Sequence, residues 1–167
     1  MSRAFFDQID DELRGFLGPA LRHYQAVRGG RLLKLWYGPP EVHFEVQQVG
    51  ARWSPLRRPA LEIGLHLEHP DPAANDRLLA GLGGRQPGRG SGGAAQPAWA
   101  GALPRAVAGP AIGPRAAAWR RVSEFVPMPE LEDPDLASEA AELLAGYVRT
   151  LWPVLSPLIV ELGSGPG

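Results

Sequence analysis

The chain has 167 residues, with 17 basic and 18 acidic side chains, 21 glycines, 18 prolines and no cysteine. That length suits one domain, and a chain of about 150 residues buries roughly 68–70% of its unfolded surface, so folding requires neither disulfide nor metal. The lack of cysteine excludes disulfide scaffolds, thiolate nucleophiles and cysteine-ligated zinc.

Ser2 reads as an N-cap for a helix carrying Phe5, Phe6, Ile9, Leu13, Phe16 and Leu17 at near-helical spacing, broken by Gly18-Pro19 before a second turn through Leu21 and Tyr24. Leu32 to Tyr37 is short and bulky, and Gly38-Pro39-Pro40 follows, which predicts a strand and a turn. In residues 41–47 the apolar Val42, Phe44 and Val46 alternate with Glu41, His43, Glu45 and Gln47. Residues 61–68 repeat the pattern, with Leu61, Ile63, Leu65 and Leu67 on one face and Glu62, Gly64, His66 and Glu68 on the other. Antiparallel pairing of these two strands is expected.

Asp71-Pro72 starts a helix through Leu78, Leu79 and Leu82, which Gly83-Gly84 ends. From Gly81 to Ala116, 24 of 36 residues are Gly, Pro or Ala, too little bulky apolar surface to offset the entropy of ordering, so a flexible insertion is expected there. Trp119 to Val126 reads as a further strand. The last helix is capped by Asp133, has Pro134 in its first turn, and carries a stripe of Leu136, Ala140, Leu143, Tyr147 and Leu151 that Pro153 and Pro157 should kink or end. The expectation is a single α+β domain over residues 1–167: an antiparallel sheet of about four strands, with the face made by Val42, Phe44, Val46, Ile63, Leu65 and Leu67 packed on the final helix.

The order helix, three strands, helix, strand, helix resembles the small α+β fold of type III secretion chaperones and the YbjN-like sensory regulators, over most of the chain outside 81–116. The resemblance implies a homodimer that binds another polypeptide, with no catalytic residues.

Period-two spacing aims the doublets His43-x-Glu45 and His66-x-Glu68 from one sheet face, where two imidazoles and two carboxylates suit zinc, iron or manganese. His43, Glu45, His66 and Glu68 are therefore the candidate metal ligands of a metal-dependent, hydrolase-like or nuclease-like enzyme. The plainer alternative is a solvated face on which Glu41, Glu45, Glu62 and Glu68 pair with Lys34, Arg120 or Arg121, and on which Glu45→Gln would be nearly silent. Glu45-Val46-Gln47 resembles the Glu-x-Lys strand of restriction-endonuclease-like nucleases, but position 47 is glutamine and the preceding strand offers Lys34 where that family has an acid.

Gly88-Arg89-Gly90-Ser91-Gly92-Gly93 spells the dinucleotide fingerprint without a strand before it or a helix after it, and there is no Walker-type loop or Gly-x-Ser-x-Gly elbow. No cofactor is expected from these motifs. Arg85, Arg89, Arg105 and Arg115 with Trp99 are too sparse a basic set to predict nucleic-acid binding. No run of about 18 uninterrupted apolar residues exists, and the N-terminus turns acidic at Asp7, Asp10, Asp11 and Glu12, so a cytoplasmic protein without a membrane segment is expected. A non-catalytic module acting through a protein partner or self-association is the leading functional expectation, with the metal-dependent enzyme as its rival.

Overall fold

A computed structural model describes residues 2–21, 24–29, 31–83, 96–113, 117–128 and 133–163. It is an α+β fold: helix α1 (Arg3–Leu13), strands β1 (Tyr24–Gly29), β2 (Arg31–Tyr37), β3 (Val42–Val49) and β4 (Ala60–Leu67), helix α2 (Pro72–Gly81), strands β5 (Val107–Pro110) and β6 (Arg120–Pro127), and helix α3 (Pro134–Gly163). The sheet is antiparallel throughout, in the order β1-β2-β3-β4-β6-β5.

Local chemistry sets the helix starts. Ser2 Oγ accepts from the Phe5 amide, Asp71 from that of Ala73 and Asp133 from that of Asp135, each satisfying a donor that the first turn leaves free. The apolar stripe of α1 buries Phe5, Phe6, Ile9 and Leu13, and its buried Asp10 ties the helix to the sheet by accepting from Tyr37 Oη at 3.0 Å and from Arg14. Val42, Phe44, Val46, Ile63, Leu65 and Leu67 are all buried on the helix side, where Trp152 of α3 meets the Phe44 ring edge-on at 6.3 Å. Asn75, itself buried, fixes α2 by donating to the His69 and Ala118 carbonyls and accepting from the His69 amide, and His69 Nδ1 accepts from the Asp71 amide.

Four expectations are corrected. The sheet has six strands because Tyr24, expected in a helical turn, begins β1, and because β5 forms inside the segment read as an insertion. Residues 96–113 are ordered against the core: Trp99 and Leu103 are buried, Trp99 Nε1 donates to the Leu82 carbonyl at 2.7 Å, and β5 pairs with β6. Two bulky side chains thus supply what composition averaged over 36 residues conceals, whereas residues 84–95, with the Gly88–Gly93 motif, and 114–116 lie outside the described residues.

Helix α3 runs unbroken through Pro153 and Pro157. Both prolines are exposed, so the carbonyls they leave without a helical donor can be hydrated, while Leu151 and Leu155 keep the inner stripe buried. By length and composition α3 could also span a bilayer, although Glu142, Arg149 and Glu161 interrupt its apolar residues. In this fold Leu136, Ala140, Leu144, Tyr147, Leu151 and Leu155 are buried within the domain.

The last correction concerns the reverse face of the sheet. All eight residues of β4 are buried, as are His43 and Glu45 of β3, so the face expected to be solvated is an enclosed polar layer. Gly64 lets the strands close around it: a Cβ there would lie 2.3 Å from the Val122 carbonyl oxygen and 2.6 Å from Ser123 Cα. Gly64→Ala should therefore cost about 1–3 kcal/mol by overpacking, read as a lower denaturation midpoint. An unchanged midpoint would contradict the close approach of β4 and β6.

Candidate metal centre

The register of the central strands assembles the layer. His43 lies directly opposite His66, Glu45 opposite Gly64, and Gln47 opposite Glu62, while Gly64 and His66 face Ser123 and Arg121 on the other side. Lys34 and Trp36 come from β2, where Trp36 is the partner of Glu45. Glu45 and Glu62 are fully buried and His43 and His66 are 2% exposed, so each charge here must be met by another side chain or an ion.

Glu45 is the centre of the layer. Its Oε2 lies 2.9 Å from Lys34 Nζ and 3.1 Å from His43 Nε2, and its Oε1 lies 3.2 Å from His66 Nε2. Burial pushes its carboxyl up, but His66, His43 and Lys34 outweigh that and hold it at about 2, against an ordinary value of 4.5. Glu62 is oriented on three sides: Gln47 Nε2 donates to Oε2 at 2.8 Å, Ser123 Oγ donates to Oε1 at 2.7 Å, and Arg121 Nη1 stands 3.4 Å from Oε1. Arg121 also donates to Ser123 Oγ and lies over the Phe125 ring, and burial pushes its guanidinium down while Glu62 draws it back up. Lys34, Trp36 and Arg121, each partly buried, border the two enclosed carboxylates.

The histidines turn ring nitrogens into the layer. His43 Nδ1 lies 2.9 Å from the Pro40 carbonyl, which only accepts, so that nitrogen carries a proton and Nε2 is the atom turned toward Glu45. A lone pair and a carboxylate oxygen 3.1 Å apart repel unless a cation meets both, either a proton on Nε2 or a metal ion. The His43 and His66 rings are nearly parallel, 10° apart with centroids at 6.0 Å, and Trp36 packs on His43 at 4.9 Å. Glu45 Oε1 and His66 Nε2, both buried, make no hydrogen bond despite their 3.2 Å separation, and Trp36 Nε1 has no acceptor.

Ligand atoms of His43, Glu45 and Glu68 lie within 4.8 Å of one another, close enough to be drawn onto a single ion. His66 lies beside this set on the neighbouring strand, with Nδ1 3.8 Å from Glu68 Oε1 and Nε2 3.2 Å from Glu45 Oε1. The four candidate ligands named from sequence thus share one layer, and three of them form the cluster. Glu62, not named among them, belongs to the layer too, 3.6 Å from His66 Nε2, and the signal was present: residues 62, 64, 66 and 68 share one strand face. Mixed imidazole and carboxylate donors fit a divalent first-row metal, and the unpaired buried atoms mark where positive charge is wanted.

Glu68, just past β4 and beside Glu41, has a side chain 17% exposed, and Lys34, at the Gln47 end, has one 26% exposed. A pocket of about 220 Å³ lined by Gln47, Gly50, Trp53 and Ile112 lies at that same end, where Gln47 bonds Glu62. Of the pairings expected for a solvated face, Lys34–Glu45 and Arg121–Glu62 form inside the layer, while Arg120 turns to the helix side and bonds Asp76 at 2.7 Å. A second titratable group lies on the helix side, where burial pushes the Glu124 carboxyl up against the lowering effect of Arg105 at 2.9 Å.

No protein-family model, curated protein or solved structure matches this chain.

Proposed function

We propose that this chain is a metal-binding protein in which His43, Glu45 and Glu68 hold a divalent transition-metal ion for hydrolytic chemistry. The observation that carries the reading is the convergence of ligand atoms from His43, Glu45 and Glu68 within 4.8 Å of one another on a largely buried sheet face. When bound, such an ion supplies Lewis acidity and lowers the pKa of a coordinated water. The chain's own residues do the rest. The Pro40 carbonyl fixes the His43 tautomer, Lys34 and the strand register hold the Glu45 carboxylate in place, and Glu68 sits at the solvent side where a substrate would enter.

Titration calorimetry of the untagged chain with zinc or manganese should give saturable binding. His43→Ala and Glu68→Gln should each weaken it beyond the roughly 10–100-fold that loss of a supporting outer partner costs. Equal affinity in parent and His43→Ala would contradict the assignment.

A second reading, a partner-binding or self-associating module, draws on the exposed Trp53 and Leu56 of the β3–β4 loop and on Val107 at the exposed sheet edge β5. Light scattering after size exclusion tests it: a monomer at all concentrations would count against self-association.

A further inference from the structure

Glu45 meets the two imidazoles with different oxygens, Oε2 toward His43 Nε2 at 3.1 Å and Oε1 toward His66 Nε2 at 3.2 Å. Two atoms each about 2.1 Å from one metal, at angles of 90–120°, lie about 3.0–3.6 Å apart. The His43–Glu45 contact falls in that range on one side of the carboxylate. On the other side His66 Nε2 is 3.2 Å from Glu45 Oε1 and 3.6 Å from Glu62 Oε1. The near-parallel rings present both Nε2 atoms to one carboxylate, which is the arrangement of a carboxylate bridging two ions about 3.5–4 Å apart.

We infer that, given a metal on His43, Glu45 and Glu68 as proposed above, a second divalent ion is held by His66 Nε2, Glu45 Oε1 and Glu62 Oε1. The independent mark of this second site is that Glu45 Oε1 and His66 Nε2, both buried and 3.2 Å apart, make no hydrogen bond among the described residues. Glu62 keeps a lone pair on Oε1 for the ion: Ser123 Oγ donates to that oxygen at 2.7 Å, Arg121 stands back at 3.4 Å, and Gln47 Nε2 donates to Oε2. Lys34 and Arg121 flank the pair, so the centre carries surplus positive charge and suits an oxyanion as the ligand that completes it.

The test loads the untagged full chain with manganese, removes free metal by desalting, and reads ions per chain by atomic emission and spin coupling by electron paramagnetic resonance. Two ions per chain with an exchange-coupled signal are expected. His66→Ala and Glu62→Gln should each retain one ion with an uncoupled signal. Glu62→Gln preserves side-chain shape and carries the comparison if circular dichroism shows His66→Ala to be unfolded. One uncoupled ion in the parent, or two coupled ions persisting in the folded variants, would overturn the second site and leave the first intact. No bound manganese in the parent would overturn both.

Discussion

Glu45→Gln should destabilise the metal-free protein by about 3–5 kcal/mol, because removing one partner of a buried charge pair leaves the others uncompensated. For a chain of this length that is a fall in Tm of roughly 6–20 °C. Lys34, His43 and His66 all point at this one carboxylate, and among the described residues none has another anion as close. The pH dependence follows from the lowered carboxyl. Its ionisation contributes full stability above the ordinary value of 4.5, and that contribution is lost as pH falls toward about 2. The gap between parent and variant should therefore be constant above about pH 4.5 and close below it. Glu41→Gln, at an exposed position beside the same strand, should stay within about 0.5 kcal/mol of the parent. A silent Glu45→Gln would restore the solvated-face reading, and a stabilising one would mean that the surrounding cations do not compensate the carboxylate.

Trp99→Ala should cost about 3–5 kcal/mol, the usual penalty for truncating a buried tryptophan. Trp99 lines the cleft between the end of α2 and α3 with Leu82, Thr150 and Val154, and its indole N–H satisfies the Leu82 carbonyl just where α2 stops. It also anchors the following chain, in which Leu103 is buried, Arg105 pairs with Glu124 at 2.9 Å, and β5 closes the sheet on β6. Trp99→Phe should recover most of the packing and lose the hydrogen bond, at a cost of about 1–3 kcal/mol for the unpaired carbonyl. Thermal or denaturant unfolding followed by circular dichroism reads both. An unchanged midpoint in Trp99→Ala would return residues 96–113 to the status of a dispensable insertion.

These two residues also show where sequence reasoning succeeds and stops. Strict alternation in β3 and β4 was enough to place Val42, Phe44, Val46, Ile63, Leu65 and Leu67 on one face and His43, Glu45, His66 and Glu68 on the other. Alternation does not say whether the polar face meets water. That depends on the tertiary surroundings, including Lys34, Trp36 and Arg121 from strands whose pairing partners the sequence leaves open. The edge strands were illegible for a related reason: β5 is Val-Ala-Gly-Pro, held by its ladder with β6 and not by apolar side chains. Averaged composition concealed Trp99, and helix-breaker rules misjudged Pro153 and Pro157 because a proline on the exposed side of a helix leaves its freed carbonyl to water.

We propose that the enclosed His/Glu layer holds metal. Elemental analysis of the full chain, purified without a histidine tag and dialysed against zinc, iron or manganese, tests it most directly beside a His43→Ala, His66→Ala double variant. The account predicts stoichiometric metal in the parent and its loss in a double variant that keeps its secondary structure. Metal-free parent protein under all three conditions, or equal metal in the two proteins, would contradict it.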